Sequence, residues 1–293
     1  MLLHTRFFDA MIQGTGGTNF IGVTMERISR RELSRIAALK RKKNRREQGK
    51  LIIEGWRLIG DALSAGALET LLLVPDDPRS EIAAGILVSA QEKGIPVRSL
   101  HKEEVKRITS TVTSPGVFGM ARFRLLEIDD LFGREQDSSA GPLVYLYEIR
   151  DPGNIGTILR TSHALGAGGV IVSPGSCDPT NAKAARSSMG ALFRVPIAAG
   201  DAGAVFEAAR NRGYTIAVMV ASDPDESERA SLPESLHNAQ PVLLVFGNEA
   251  EGLPDDLQAV ADRKISIPIE AGAQSLNVAA SCAVILYSLR KDR

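Results

Sequence analysis

The strongest constraint on the fold is the alternation, over residues 141–293, of short, mostly apolar runs with helix-length segments. Residues 143–147, 169–172, 192–196, 215–220, 242–246 and 264–267 are the candidate strands. Helical spacing follows several of them, at 156–165, 182–189, 203–212 and 275–289. A strand with no polar alternation has both faces covered, and strands joined through helices pair in parallel. The expectation is an α/β unit with a mostly parallel sheet and helices on both faces. No internal repeat breaks the rhythm.

The first part of the chain changes between helical and strand periods. Residues 31–46 space Leu33, Ile36 and Leu39 on one helical face, with basic residues outward. Residues 51–54 are short and apolar, and residues 71–74 read as a strand ended by Pro75, Asp76, Asp77 and Pro78. Helices are expected at 56–63, 82–93 and 101–108, with a turn and short strand at 94–97. This predicts a second α/β unit of fewer than 100 residues. The polar, acidic stretch 127–141 should be an exposed, mobile boundary. Residues 1–33, with Gly14, Gly16, Gly17 and Gly22, read as a loose extension; they are poor in acid, which leaves organellar import open beside a cytoplasmic location.

Whole-chain charge is uninformative, with 35 basic and 35 acidic residues. Its distribution is not. The first 60 residues hold 13 basic and 5 acidic groups, peaking at Lys40, Arg41, Lys42, Lys43, Arg45 and Arg46. Such a run suits a phosphate backbone, and a solvated helix face accounts for it equally well. The two cysteines, Cys177 and Cys282, build neither a disulfide framework nor a zinc site. No apolar run reaches the roughly 20 residues that cross a bilayer.

Several chemistries lack their signatures. No Gly-x-Gly-x-x-Gly follows the first strand of the C-terminal part, and the P-loop pattern is absent, which disfavours dehydrogenases and nucleoside triphosphatases. Gly166-Ala-Gly-Gly169 reads as a helix cap and turn. No metal cluster and no Ser-His-Asp or Cys-His arrangement stands out among the four histidines.

Polar residues instead gather where apolar strands end, in three segments. In Asp151-Pro-Gly-Asn-Ile-Gly-Thr-Ile-Leu-Arg160, Pro152 and Gly153 turn the chain, Asn154 can bond backbone or ligand, and Gly156 permits close approach. Arg160 is expected near the start of the next helix, where the dipole opposes a cation and a phosphate or carboxylate would relieve it; a surface arginine paired with Glu148 or Asp151 fits the same spacing. In Phe246-Gly-Asn-Glu-Ala-Glu-Gly-Leu253, Gly247 bares backbone while Asn248 and Glu249 follow the strand, either at a ligand crevice or at an ordinary loop exit. In Ser266-Ile-Pro-Ile269 and Ser275-Leu-Asn-Val278, Ser275 and Asn277 bracket Leu276 at the mouth of an apolar helix. They can cap that helix or position a substrate.

These segments resemble motifs one, two and three of the SpoU (TrmH) branch of the SPOUT RNA 2′-O-ribose methyltransferases, over nearly all of residues 141–293. Arg186-Ser-Ser-Met-Gly190 resembles a further family segment. Upstream, residues 45–57 and 114–120 resemble the opening and end of the family's small ribosomal-protein-like RNA-binding domain. Departures are mild: Ala279 and Ser281 alter a small-residue pattern, and Ser188-Met189 varies a usual pairing.

The resemblance implies an extension at 1–33, an RNA substrate-binding domain at 34–125, a linker at 126–140 and a methyltransferase domain at 141–293. It implies a deep trefoil knot, despite the general rarity of knots, with the third motif threaded through a loop containing the second. S-adenosyl-L-methionine would sit there against Phe246, Gly247, Ile267, Leu276 and Asn277, with no metal. Arg160 would activate a ribose hydroxyl, Asn154 would order the substrate side, Glu249 would hold a partner such as Arg160, and Ser275 and Asn277 would position substrate or cofactor. RNA, with rRNA ahead of tRNA, and a second copy docked through the catalytic domain are the implied partners. The alternative outside catalysis is an RNA-binding ribosome-assembly factor; a metabolic dehydrogenase is a third reading, opposed by the missing fingerprint.

Overall fold

The computed structural model describes residues 18–20, 23–75, 84–114, 116–133, 141–220, 233–236, 241–270 and 275–290. The chain divides into two units, Met1–Phe123 and Arg124–Arg293.

The first unit holds β1 (Thr18–Phe20), β2 (Val23–Arg27), α1 (Arg30–Ala38), α2 (Lys42–Gln48), β3 (Lys50–Glu54), α3 (Trp56–Ser64), β4 (Leu68–Leu73), α4 (Ala84–Glu92), β5 (Val97–Ser99) and β6 (Val117–Arg122). Its mixed sheet runs β1-β2-β5-β4-β6-β3, so β3 lies at an edge. A capping box starts α1: the Glu32 amide donates to Ser29 Oγ and the Ser29 amide to the Glu32 carboxylate. Leu33 and Ile36 bury its apolar face.

The single helix expected over 31–46 is two. Asn44 Nδ2 donates to the Ala38 carbonyl at 2.8 Å, and Arg45 Nη1 to those of Leu39 and Lys40 at 3.2 and 2.9 Å. These side chains satisfy the carbonyls that end α1, and the chain turns before restarting as α2. Arg45 is thereby spent on structure, while Arg41, Lys42, Lys43 and Arg46 stay exposed. The helix expected at 101–108 is only a 3₁₀ turn, Glu104–Arg107.

The second unit holds α5 (Ile128–Phe132), β7 (Leu143–Leu146), α6 (Pro152–Leu165), β8 (Gly169–Val172), α7 (Ala182–Ser187), β9 (Ile197–Ala199), α8 (Ala202–Asn211), β10 (Thr215–Met219), β11 (Val242–Phe246), α9 (Asp255–Ala259), β12 (Arg263–Ile265) and α10 (Val278–Ser288). The sheet order is β12-β10-β11-β7-β8-β9, with every pair parallel. One face packs Leu143, Tyr145, Ile216 and Val245 against α5 and α8. Alternation sends Val144, Leu146, Leu244 and Phe246 the other way, where they are buried as well. Helices α6, α7 and α10 pack together as a layer.

Three expectations need correction here. Residues 192–196 are not a strand: Ala191–Phe193 is a 3₁₀ turn and the edge strand is β9, one step later. The start of the 127–141 stretch is not a mobile boundary, because α5 buries Leu131 and Phe132 in the core; residues 134–140 lie outside the described ones. The helix of the first motif begins at Pro152 rather than Gly156, with Asp151 as its cap.

Candidate active site

The sheet changes winding direction between β7 and β11. The chain leaves β7 towards β8 and β9 and later returns to build β10, β11 and β12 on the other side. Such a switch point leaves a crevice beyond the carboxyl ends of the strands. All three sequence motifs arrive there.

The first motif descends from β7. Glu148, at its exit, has φ of 51°, an uncommon left-handed conformation for a non-glycine residue. Its carbonyl accepts from Asn248 Nδ2 at 2.8 Å, and its amide donates to Ser173 Oγ at 2.8 Å. Asp151 then caps α6 by accepting from the Gly153 amide at 2.8 Å, and its carboxylate also pairs with Lys183 at 3.0 Å. The amide bond, then the ammonium, hold the Asp151 carboxyl below its ordinary range. Pro152 occupies the first helical position, where its missing N–H leaves nothing unpaired. Gly156 makes a close approach, but to the Ala184 carbonyl and Ser187 of α7.

The second motif leaves β11 and doubles back. The backbones of Asn248 and Gly252 exchange two hydrogen bonds of 2.9 Å. Asn248 Oδ1 accepts from the Ala250 and Glu251 amides at 2.8 and 3.2 Å, so this buried side chain braces the loop from inside. A Cβ on Gly247 would run into the backbone of Gly252 and Leu253, so only glycine fits the fold-back. The third motif leaves β12 and enters α10, whose cap is Asn277; its Oδ1 accepts from the Ala279 and Ala280 amides. Helix α10 therefore starts at Val278, later than the expected 275. Ser275 caps nothing there among the described residues. The threading expected of the third motif involves residues 271–274, which lie outside the described ones.

Side chains from the three motifs meet in one chain of hydrogen bonds. Asn277 Nδ2 donates to Asn154 Oδ1 at 3.0 Å, and Asn154 Nδ2 donates to Glu249 Oε1 at 2.9 Å. The backbone amides of Arg150 and Asp151 also point at the Glu249 carboxylate, at 3.4 and 3.5 Å. An ionised carboxylate only accepts, so Glu249 orients the Asn154 amide with its nitrogen inward and its oxygen towards Asn277. Asn154 is thus on the first turn of α6, not in a loop.

Beside this chain lies a cavity of about 380 Å³ at the ends of β10, β11 and β12. Phe246, Gly247, Ile267, Leu276 and Asn277, the residues expected to hold a cofactor, line it together with Glu249 and Ser275. Sequence reading missed Met219 and Val220, which end β10 without a polar mark, and the bracing role of Asn248 inside its own motif. Glu249 is the one charged side chain among the described lining residues.

Arg160 stands apart. It is the ninth residue of α6, exposed, with no hydrogen bond or ion pair among the described residues. The expected conflict with the helix terminus is absent because the helix starts one turn earlier, and Glu249 holds Asn154 instead of Arg160. Neither Glu148, which pairs with Arg150, nor Asp151 reaches it. Among the described residues, no three His, Cys, Asp or Glu groups converge as a metal site, and no helix is long and apolar enough to cross a membrane. Cys282 is fully buried, which pushes its thiol up and keeps it protonated.

Known proteins share this architecture. The sequence model of the SpoU rRNA Methylase family matches residues 141–287, and that of an MRM3-like substrate binding domain matches residues 31–119. The chain is 26% identical to the 23S rRNA (guanosine(2553)-2′-O)-methyltransferase RlmP of Bacillus subtilis, over 85% of this chain and 92% of that protein. It is 30% identical to the 23S rRNA (adenosine(1067)-2′-O)-methyltransferase of Streptomyces laurentii, over 69% of this chain and 72% of the relative. The crystal structure of an AdoMet-bound rRNA methyltransferase from Sinorhizobium meliloti superposes with a TM-score of 0.73 at 28% identity, covering 91% of this chain and 96% of that one. With its three motifs joined at one crevice and the family model spanning the whole second sheet, the chain belongs to the SpoU rRNA methylase family.

Proposed function

We propose that the protein is an S-adenosyl-L-methionine-dependent RNA methyltransferase that modifies a ribose 2′-hydroxyl in rRNA. The observation that carries this reading is the cavity at the strand ends, closed on one side by the Asn277–Asn154–Glu249 chain. Its residues fit the cofactor. Phe246, Ile267 and Leu276 offer apolar surface to a purine, and Gly247 offers bare backbone beside it. A lone carboxylate suits a sulfonium, and no Lys or Arg among the described lining residues calls for a phosphate-bearing nucleotide. The relatives named above are rRNA 2′-O-methyltransferases, which favours rRNA over tRNA.

When bound, the cofactor supplies an electrophilic methyl group, so the protein's task is alignment and charge control. Asn154, fixed from both sides, orders the acceptor side of the crevice. Glu249 holds that amide and the two backbone amides before α6 in one orientation. Ser275 and Asn277 flank Leu276 at the cavity and position substrate or cofactor. Arg160, free of carboxylate partners among the described residues, meets the RNA. Its guanidinium stays protonated and is no base; it stabilises negative charge on the oxygen as the hydroxyl proton passes to solvent water.

The same reading assigns RNA binding to the first unit, which takes in β1, β2 and the start of α1 from the extension expected at 1–33, and catalysis to the second unit, which takes in α5 from the linker expected at 126–140. The site of action is the cytoplasm, or an organelle if that extension directs import. It includes the trefoil knot. From β12 at the sheet edge the chain must return past β10 and β11 to bring α10 against α6, and this supports threading. It also includes a homodimer through α10. This helix is apolar on every side, and such helices are covered all round. Ala279, Cys282, Ile285 and Leu286 face the core, while Ala280, Val284 and Tyr287 form an exposed stripe that a second copy would cover.

Calorimetry with S-adenosyl-homocysteine in the presence of a chelator, followed by transfer of labelled methyl into separated rRNA and tRNA, tests the proposal. Metal-independent binding and label in rRNA are expected. A folded protein that binds no S-adenosyl-homocysteine, or labels only tRNA, overturns it.

A further inference from the structure

The first unit carries an aromatic feature that its basic run does not explain. Trp56 is the single tryptophan of the chain. It opens α3, whose Leu58, Ile59, Ala62 and Leu63 are buried, yet Trp56 itself is 41% exposed. An indole left this far in water forgoes burial that its neighbours obtain. The Arg57 guanidinium carbon stands 5.0 Å from the indole centroid, over the ring, and Arg57 pairs with no carboxylate among the described residues. A cation so placed both stiffens the indole and adds a second planar group at the surface.

A buried carboxylate fixes the ground beside it. Glu54, the last residue of β3, is 6% exposed and accepts from Thr109 Oγ1 at 3.0 Å, from the Ser110 amide at 3.3 Å and from Ser110 Oγ. This ties residues 109–110 to the entry of α3. Two residues on, Val112 is fully exposed. Indole and guanidinium are therefore presented where the edge strand β3 ends, at the point that residues 109–110 are tied to. At the opposite end of β3 stand the exposed Lys42, Lys43 and Arg46 of α2, separated by five strand residues, about 17 Å.

We infer that Trp56, with Arg57 over its ring, is the stacking platform for an unpaired RNA base, while α2 at the other end of β3 holds the phosphates of the same strand. The inference rests on the proposed role of the first unit in RNA binding. Cations alone attract any backbone and choose no nucleotide. An exposed aromatic face selects unstacked bases, since paired bases in a duplex offer no free face.

Because Trp56 is the only indole, its own fluorescence reports the contact in the full-length protein. Titration with a single-stranded oligoadenylate octamer should quench it strongly, and a fully paired RNA duplex at equal phosphate concentration should not. Trp56→Ala should weaken binding of the octamer about tenfold while leaving the slope of log Kd against log salt unchanged, and Trp56→Phe should recover most of the loss. Equal quenching by octamer and duplex, no quenching, or octamer binding by folded Trp56→Ala at wild-type strength overturns the inference. Methyl transfer by the wild-type enzyme into rRNA is read separately, so a silent Trp56 in an active enzyme defeats the platform alone, whereas inactivity defeats the underlying reading.

Discussion

Asn277 carries two tasks that can be separated chemically. Its Oδ1 caps α10, and its Nδ2 holds Asn154. Asn277→Ala loses both and should lower stability by about 1 kcal/mol, the usual effect of removing a cap. Asn277→Asp keeps the capping oxygen but cannot donate to Asn154 Oδ1. Denaturant melts should find the Asp variant near wild-type stability, while kcat/KM for methyl transfer falls about tenfold, the scale of one ordering hydrogen bond. Wild-type turnover by Asn277→Asp would show that the chain of amides is only structural. Asp151 gives a pH test at the other cap. Its carboxyl is held below the ordinary range in the folded chain, so its contribution is present above about pH 4 and is lost as pH falls through the lower folded value. Urea melts between pH 3 and 6 should show a shallower acid loss for Asp151→Asn than for wild type. A side chain's cap or polar class is legible in sequence, and so Asn154, Glu249 and Asn277 could be singled out. Which of them touch is not legible, because they lie 95 and 123 positions apart.

At the scale of elements, the fold-back after β11 depends on a missing side chain. Gly247→Ala places a methyl against the Gly252 backbone, where no flexible neighbour can yield. The loop must open, and S-adenosyl-homocysteine affinity measured by calorimetry should drop about tenfold or more, an effect of roughly 1.4 kcal/mol or above. Unchanged affinity would mean that the loop does not shape the cavity. The strands of the second sheet were legible because runs such as Val242–Phe246 are buried throughout. The error at 192–196 arose where periodicity cannot separate a short buried turn from a strand; Leu192 is buried in a 3₁₀ turn that Gly190, at φ of 83°, introduces. The late start assigned to α6 came from reading Pro152-Gly153 as a turn. Asp at the cap with Pro at the first helical position is a start signal, and it moves Arg160 into the helix middle. The break between α1 and α2 depends on Asn44 and Arg45 reaching back across the turn, which helical spacing does not encode.

At the scale of the whole molecule, two observations organise the account: two separate units, one carrying a basic helix and one a crevice at a switch point, and a terminal helix with an uncovered apolar stripe. Tyr287→Arg puts a charge on the most exposed large side chain of that stripe, so sedimentation should change from dimer to monomer. A variant that sediments as wild type would place the interface elsewhere. Ribose methylation and base methylation differ in the atom that receives the methyl group. After the modified rRNA nucleotide is mapped with labelled cofactor, an RNA fragment carrying a single 2′-deoxy substitution at that nucleotide should accept no methyl, while the all-ribose fragment is fully modified. Continued labelling of the deoxy fragment at the same nucleotide would contradict ribose methylation and point to the base instead.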